Sequence, residues 1–470
     1  MIKPSSLLRC TYALGITLLV SGCSTSQPEQ DYQPEVTIPD SWQSLSVTEQ
    51  VQLDPWWERF NDPELNTLIE QVLISNNDLA LATLTLRSAR LKAGLTEAEG
   101  SFQISLSTDA SRETSLNSSD SSSSYSTDLS ISYELDLWGR VASEVDAAKW
   151  TSFANAEDRE STAQSLAATT ASLYWEIGYL KQSLALSQDN IDSAKQSLAI
   201  IESQYRSGAV TQLDIFESQR SLAEQQVSYS ESQQELVEAQ NALTILYNQP
   251  PMKMPITIDK LPEGNIPMIA AGVPADLLIR RPDVKSALYS LKSAYATKDA
   301  TFAGYLPSLT LSGAIGSSSD QLKDLLSNPI GTLGANLMLP FLQWNEMELN
   351  KKLSQIDVES AIVTYRDTLY GAFSEVDNAI SARQQYQYQG ARLQEQYNAA
   401  EAAERIYASQ YRYGAIGIQD WLDAQDTLRD TEQDILENRY NQFNIQAVLY
   451  QALGGSDIAP EVTISGQKPT

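Results

Sequence analysis

The chain has 470 residues with 60 acidic against 32 basic side chains, and its net charge of -28 argues against a nucleic-acid partner, because phosphate backbones would be repelled. It contains no histidine, which removes the usual general base and the commonest metal ligand, so no enzyme, metal site or cofactor is expected. Its two cysteines, Cys10 and Cys23, cannot build a disulfide framework or a cysteine zinc site.

At the N-terminus, Lys3 and Arg9 flank the start of an apolar run at 11–20 (TYALGITLLV) that leads directly into Val20-Ser21-Gly22-Cys23. The run is too short to cross a bilayer core about 30 Å thick as a helix, so residues 1–22 read as a signal peptide. The Val-Ser-Gly-Cys stretch resembles a bacterial lipobox, which implies cleavage before Cys23 and acylation of its thiol and new amine; the alternative is a plain secretory signal. Loss of Lys3 and Arg9 would move the charge from -28 to -30. Ser24, by resemblance to bacterial lipoproteins, implies export to the outer membrane. No later segment is long and apolar enough for a transmembrane helix.

The first long periodic stretch, Leu65 to Gly100, predicts a helix. Phe102, Ile104 and Leu106 then alternate with Gln103, Ser105 and Ser107, predicting a strand over 102–108. Residues 115–126 (SLNSSDSSSSYS) predict an exposed loop. A second strand follows in LSISYELDLWGR (129–140), apolar at Leu129, Ile131, Tyr133, Leu135 and Leu137 and polar between. From Val141 to Ser207 there is no proline and one glycine, Gly178, which predicts a helix of roughly 100 Å at 1.5 Å per residue. Leu184, Ile191, Ala194, Leu198, Ile201 and Tyr205 follow coiled-coil spacing along it. Gly208 predicts a tight reversal into a helix over Leu213 to Asn248.

Pro250, Pro251, Pro255, Pro262, Pro267 and Pro274 mark an irregular connector. The pattern then recurs. QYRSGAVTQLDIFESQRSL (204–222) and QYRYGAIGIQDWLDAQDTL (410–428) share eight of nineteen residues, and Asp78, Ala82, Leu86, Ser88 and Ala89 match Asp283, Ala287, Leu291, Ser293 and Ala294. One unit is written twice. In the second copy a strand begins at Leu309 and Leu311, and a loop covers Gly316 to Asp320 and beyond. A second strand takes in Leu333, Ala335, Leu337, Leu339 and Phe341, and a long helix covers Glu346 to Tyr413. The two short helices of a copy, laid end to end, should match one long rod.

Two hairpins give four strands, each about as long as a tilted membrane strand requires. Four strands cannot close around water, and an open edge in hydrocarbon leaves backbone groups unpaired. Three copies would supply twelve strands, with Leu129, Ile131 and their like facing lipid, Ser130, Ser132, Glu134 and Asp136 facing water, and Trp138 at the interface.

WWERFNDPEL (56–65), YELDLWGRV (133–141), ADLLIRRPDV (275–284), GYLPSLTLSG (304–313) and the two QYRxGA turns together resemble the TolC-like outer-membrane factor family, lipoprotein branch. The resemblance implies a mainly α chain with a small membrane β part. It implies a homotrimeric twelve-stranded β-barrel, four strands per chain, continuing into a long periplasmic α-helical coiled-coil barrel with a mixed equatorial collar. The expected organisation is a signal peptide (1–22), an N-terminal equatorial segment (23–63), a first repeat (64–249), a proline-rich equatorial connector (250–274), a second repeat (275–455) and a tail (456–470). FLQWNEM (341–347) departs from the small glycine-containing turn of many relatives.

The resemblance further implies a passive exit duct in the outer membrane of a Gram-negative bacterium, lipid-anchored at Cys23. Its partners would be a periplasmic adaptor and an inner-membrane transporter of RND or MFS type. By position, Arg206, Gly208, Ala209, Val210, Thr211, Arg412, Gly414 and Ala415 would meet the adaptor; helix capping is the plainer reading. Asp420 and Asp423 match the paired aspartates of the tunnel mouth, with Asp214 and Glu217 as their counterparts, and solvated rod charges are the alternative. Tyr411 and Asp214 fall where the family places a closing hydrogen bond, and Ile416 replaces an arginine of that latch, which implies either a weaker latch or one that relies on apolar contact at Val210, Ile416 and Ile418. The cargo would be drugs and other toxic small molecules. A type I secretion duct, a non-conducting coiled-coil lipoprotein and a carboxylate glycosidase are the other readings.

Overall fold

The computed structural model describes residues 36–43, 55–114, 121–251, 258–264, 266–267, 280–455 and 458–460; Cys23 and the signal peptide lie outside them. None of the helices among these residues is long and apolar enough to cross a membrane.

Helix α1 (Pro63–Ser75) starts where the Asp62 carboxylate accepts from the backbone N–H groups of Glu64 and Leu65 and Pro63 takes the first position. The single helix predicted over Leu65 to Gly100 is broken, because Asn76 adopts an extended conformation and caps helix α2 (Asn77–Glu99) by accepting from Asp78 and Leu79. Asparagine does this readily, since its carboxamide competes for backbone donors. The rods α3 (Arg140–Arg206) and α6 (Trp344–Arg412) contain 67 and 69 residues, about 100 Å each at the usual rise. Each turns back into a helix of 35 residues, α4 (Gln212–Leu246) and α7 (Ile418–Ala452); α5 (Pro282–Ala303) is the remaining short one.

End-to-end stacking occurs in both copies. Asn76 donates its amide to Leu246 O at 3.1 Å and Asn77 to Asn248 Oδ1 at 2.7 Å, joining α1 and α2 to the end of α4. The buried Arg281 guanidinium joins α5 to the end of α7, donating to Ala452 O at 3.1 Å while also engaging Asp283 and Glu375. Rod α3 packs against α2, α4, α5 and α7, and α6 packs against α5 and α7. Of the predicted α3 seam, Ile191, Ala194 and Ile201 are buried, whereas Tyr205 is exposed.

Strands β1 (Gln103–Thr114), β2 (Ser121–Leu135), β3 (Ser308–Ser319) and β4 (Ile330–Met338) form one antiparallel sheet in that order. The loop predicted over 115–126 is corrected: residues 121–126 pair with Thr114 to Asp109, and 115–120 lie outside the described residues. Hydroxyl side chains announced solvent, and solvent is compatible with a strand that continues a ladder begun at Leu129. Gly316 to Ser319 likewise pair with Asp128 to Tyr125 rather than looping. The last strand stops at Met338, short of Leu339 and Phe341, because Pro340 carries no N–H and opens a 3-10 turn over Pro340–Leu342.

Apolar rows cross the sheet, Ile104 to Ile131 to Gly313 to Leu333 and Leu106 to Leu129 to Ile315 to Gly331. The other face carries hydroxyls such as the Ser105–Ser130 pair at 2.7 Å. The apolar face is bare: Leu333 is 95% and Leu106 71% exposed. Among the described residues, strands β1 and β4 each have one unpaired edge.

The passage from β2 to α3 explains LDLWGR. The Asp136 carboxylate accepts from Val141 N at 3.2 Å and Ala142 N at 2.9 Å, Gly139 takes φ 76°, Arg140 bridges Glu134 and Glu144, and the Trp138 indole donates to Pro307 O at 2.8 Å. At the second passage Gln343 precedes Trp344 at the start of α6 without a glycine. Midway along the rods, Trp56, Phe60, Trp175, Phe443 and Tyr450 form an aromatic core, with Trp56 stacked on Tyr450 at 5.2 Å. There Gly178 lets the connector cross α3, since a Cβ would lie 3.0–3.1 Å from the backbone of Lys260 and Leu261.

Candidate functional site at the helix-turn end

Both rods end in the same turn. Gly208 N donates to Tyr205 O and Ala209 N to Gln204 O, each at 2.9 Å; Gly414 N donates to Tyr411 O and Ala415 N to Gln410 O, also at 2.9 Å. This is a Schellman pattern, and it needs a left-handed residue, supplied by Gly208 at φ 78° and Gly414 at φ 73°. The residues Arg206, Gly208, Ala209, Thr211, Arg412, Gly414 and Ala415 are exposed there, and Val210 and Ile416 are half-buried.

Behind the turns, Ile201 of α3 and Ile418 and Leu422 of α7 are buried together, with Val210, Ile215, Tyr411 and Trp421 packed around them. Two copies of the repeat therefore meet through apolar side chains at the tip. Higher up, the contact between α3 and α7 mixes hydrogen bonds, Gln451 to Ser165 at 2.9 Å, Ser172 to Asn444 at 2.6 Å and Ser183 to Gln433 at 3.0 Å, with ring contacts, Trp175 to Phe443 at 5.3 Å and Tyr179 to Tyr440 at 5.4 Å.

Tyr411 donates its hydroxyl to Gln204 Oε1 at 2.7 Å, not to Asp214. Asp214 is occupied elsewhere, its carboxylate accepting from the Thr211 N–H at 2.7 Å and the Thr211 hydroxyl at 2.6 Å at the start of α4. Burial pushes the Tyr411 phenol above its ordinary range, and the nearby Asp214 charge adds to the shift. Tyr411 also stacks on Trp421 at 5.1 Å, and the Trp421 indole donates to Glu404 at 2.9 Å. Gln204, Trp421 and Glu404 were not singled out from sequence. The signal was present for two of them: Gln204 opens the first copy of the repeated QYR motif, and Trp421 stands where the first copy has Ile215.

Asp420 and Asp423 are exposed and line a groove between α6 and α7 with Ala400, Ala403 and Tyr407. Asp423 accepts from Gln419 at 2.5 Å. Glu217 is half-buried on α4, three residues after Asp214.

Residues 68–249 and 273–455 match the family described as outer membrane efflux protein. The chain belongs to this family. It is similar to the pyoverdine export outer membrane protein OpmQ of Pseudomonas putida, at 30% identity over 95% of this chain and 97% of that protein. It is also similar to toxin and drug export protein A of Aggregatibacter actinomycetemcomitans, at 25% identity over 94% of this chain and 97% of that protein. The MtrE outer membrane channel of Neisseria gonorrhoeae, solved in its open state, superposes with a TM-score of 0.80 at 27% identity, covering 92% of this chain and 99% of the channel chain. As in other outer membrane efflux proteins, the architecture is a homotrimeric outer-membrane channel, and the four-stranded sheet with its two free edges is one third of a twelve-stranded barrel.

Proposed function

We propose that three copies of the chain form the passive exit duct of a tripartite pump, opened at the helix-turn end by a periplasmic adaptor and supplied by an inner-membrane transporter of RND or MFS type. One observation carries this reading: a bilayer-sized sheet with a bare apolar face is continued by rods of 67 and 69 residues that end in two matching exposed turns. Arg206, Gly208, Ala209, Val210, Thr211, Arg412, Gly414 and Ala415 are the adaptor-facing surface in this reading. The cargo is drugs and other toxic small molecules, a class supported by the names of the toxin and drug export and pyoverdine export relatives. Acylated Cys23 adds an anchor to the outer membrane.

Asp420 and Asp423, each repeated three times in the trimer, form the cation-attracting ring of the mouth, in which like charges oppose closure. Recordings in planar lipid bilayers test the proposal, because a non-conducting coiled-coil lipoprotein gives no unitary currents. In the same recordings Asp420→Ala with Asp423→Ala is expected to lower cation selectivity and relieve block by multivalent cations. Unchanged selectivity would remove the ring from the mechanism.

A further inference from the structure

The hydrocarbon-facing side of the sheet is not flat. Gly313 stands in the row Ile104, Ile131, Gly313, Leu333 without a side chain, and Gly331 ends the next row, Leu106, Leu129, Ile315, Gly331. Their neighbours Leu129, Ile131, Ile315 and Leu333 surround a hollow of about 560 Å³. That volume falls in the roughly 300–1,000 Å³ range of ligand pockets. Packing within the chain does not require the hollow, because a Cβ at Gly313 would stand at ordinary contact, 3.4 Å from Leu333 Cδ2 and 3.5 Å from Ile131 Cγ2. A glycine inside a strand often marks close approach of a ligand.

Toward the β1–β2 turn the same face changes character. Beyond Leu106 and Leu129 it carries the pairs Thr108–Thr127, Ala110–Tyr125, Arg112–Ser123 and Thr114–Ser121. Tyr125 lies six residues from Ile131, about 20 Å along the strand and about 15 Å in depth at the usual tilt, where an interfacial aromatic belongs. Arg112 belongs to the next pair outward, at headgroup depth. Within the four strands Arg112 is the only cation, and the acids Asp109, Glu113, Asp128 and Glu134 all alternate onto the opposite, water-facing side. Among the described residues the Arg112 guanidinium donates to the Ser121 hydroxyl at 3.4 Å and meets no carboxylate.

We propose that this face of each protomer binds one acylated, phosphorylated glycolipid of the outer leaflet, with an acyl chain in the hollow at Gly313 and a headgroup phosphate on Arg112. The order of the two features selects the ligand. An apolar hollow at mid-bilayer depth lies below a band of hydroxyls with a single positive charge, so an occupant must be hydrocarbon at one end and anionic at the other. A lipid of the periplasmic leaflet would bring its headgroup to the Trp138 end of the strands, away from Arg112. The hydroxyls of Thr108, Thr127, Ser121 and Ser123 both donate and accept, which suits sugar hydroxyls. The acids lie behind the sheet, so none competes with a phosphate for the guanidinium.

Native mass spectrometry of the detergent-solubilised trimer, titrated with lipid A or with phosphatidylglycerol, tests the site. Lipid A should add in steps, up to one per protomer, and should survive detergent that strips phosphatidylglycerol. Gly313→Leu, which fills the hollow, and Arg112→Ser, which removes the charge, should each cut that retention about ten-fold, the weight of one charge-assisted contact. Glu113→Gln, next to Arg112 but on the water-facing side, should leave retention unchanged. Should Gly313→Leu fail to assemble, Arg112→Ser decides alone, since its side chain is exposed. Equal retention of phosphatidylglycerol, wild-type retention of lipid A in an assembled Gly313→Leu or Arg112→Ser trimer, or an equal loss in Glu113→Gln would overturn the proposal. The readout does not depend on conduction, so it stands apart from the outcome of the exit-duct recordings.

Discussion

Gly454 and Gly414 both have positive φ, 80° and 73°, yet their surroundings differ. A Cβ at Gly414 meets nothing within 4 Å, whereas one at Gly454 would fall 2.8 Å from the Arg281 backbone. Gly414→Ala should therefore cost only the left-handed strain, about 1–2 kcal/mol. Gly454→Ala should add overpacking of about 1–3 kcal/mol, because a backbone cannot move aside as a flexible side chain would. Thermal dissociation of the detergent-solubilised trimer should rank the two, with Gly454→Ala the less stable. Single residues of this kind were unequally readable beforehand. Gly208 and Gly414 stood out because a rod must reverse on a residue free of Cβ strain. The partner of Tyr411 did not, because the hydrogen bond joins residues 207 positions apart and two candidates, Asp214 and Gln204, lie near the same turn.

Among the elements, the rods were predicted almost to their ends, since a long absence of proline leaves helix as the only continuous structure. The break at Asn76 was missed, because an asparagine in mid-helix reads the same whether its carboxamide points to solvent or caps a new helix. The lower half of α7 carries a second property that periodicity does not report. Burial raises the carboxyls of Asp430 and Glu432, and neighbours reinforce it: Asp426 and Asp434 beside Asp430, and Glu401 beside Glu432, with Arg429 opposing in both cases. Raised folded values mean that the folded helix binds protons more readily than the unfolded chain. Stability is then lost as pH rises through those values and regained as pH falls toward the ordinary carboxylate range. Hydrogen exchange of α7 amides, corrected for intrinsic rate, should slow as pH is lowered from neutral to the ordinary carboxylate range. Asp430→Asn with Glu432→Gln should flatten that dependence.

For the molecule as a whole, the bare sheet face is the decisive feature. Leu333 is 95% exposed in one chain and sits in the apolar row with Ile104, Ile131 and Gly313, so lipid is its only favourable neighbour. Leu333→Lys should cost about 2–4 kcal/mol at mid-bilayer depth and reduce the heat-resistant trimer band in outer-membrane fractions. Thr332→Lys, on the opposite face, should leave the trimer intact and change conductance. The need for further copies was already implicit in the strand count, because four strands cannot enclose water and an edge in hydrocarbon leaves donors and acceptors unpaired; that the copies number three came from the family resemblance. Alternation, the missing prolines and the doubled QYRxGA turn thus dictated barrel, rods and reversal, all of which depend on local backbone chemistry. The serine-rich half of β2, the Asn76 joint, the Arg281 tie and the Gln204–Tyr411–Trp421–Glu404 group came only from the folded arrangement. Each depends on which distant segment arrives alongside, and a hydroxyl, carboxamide or indole has no preferred partner until a neighbouring helix or strand presents one.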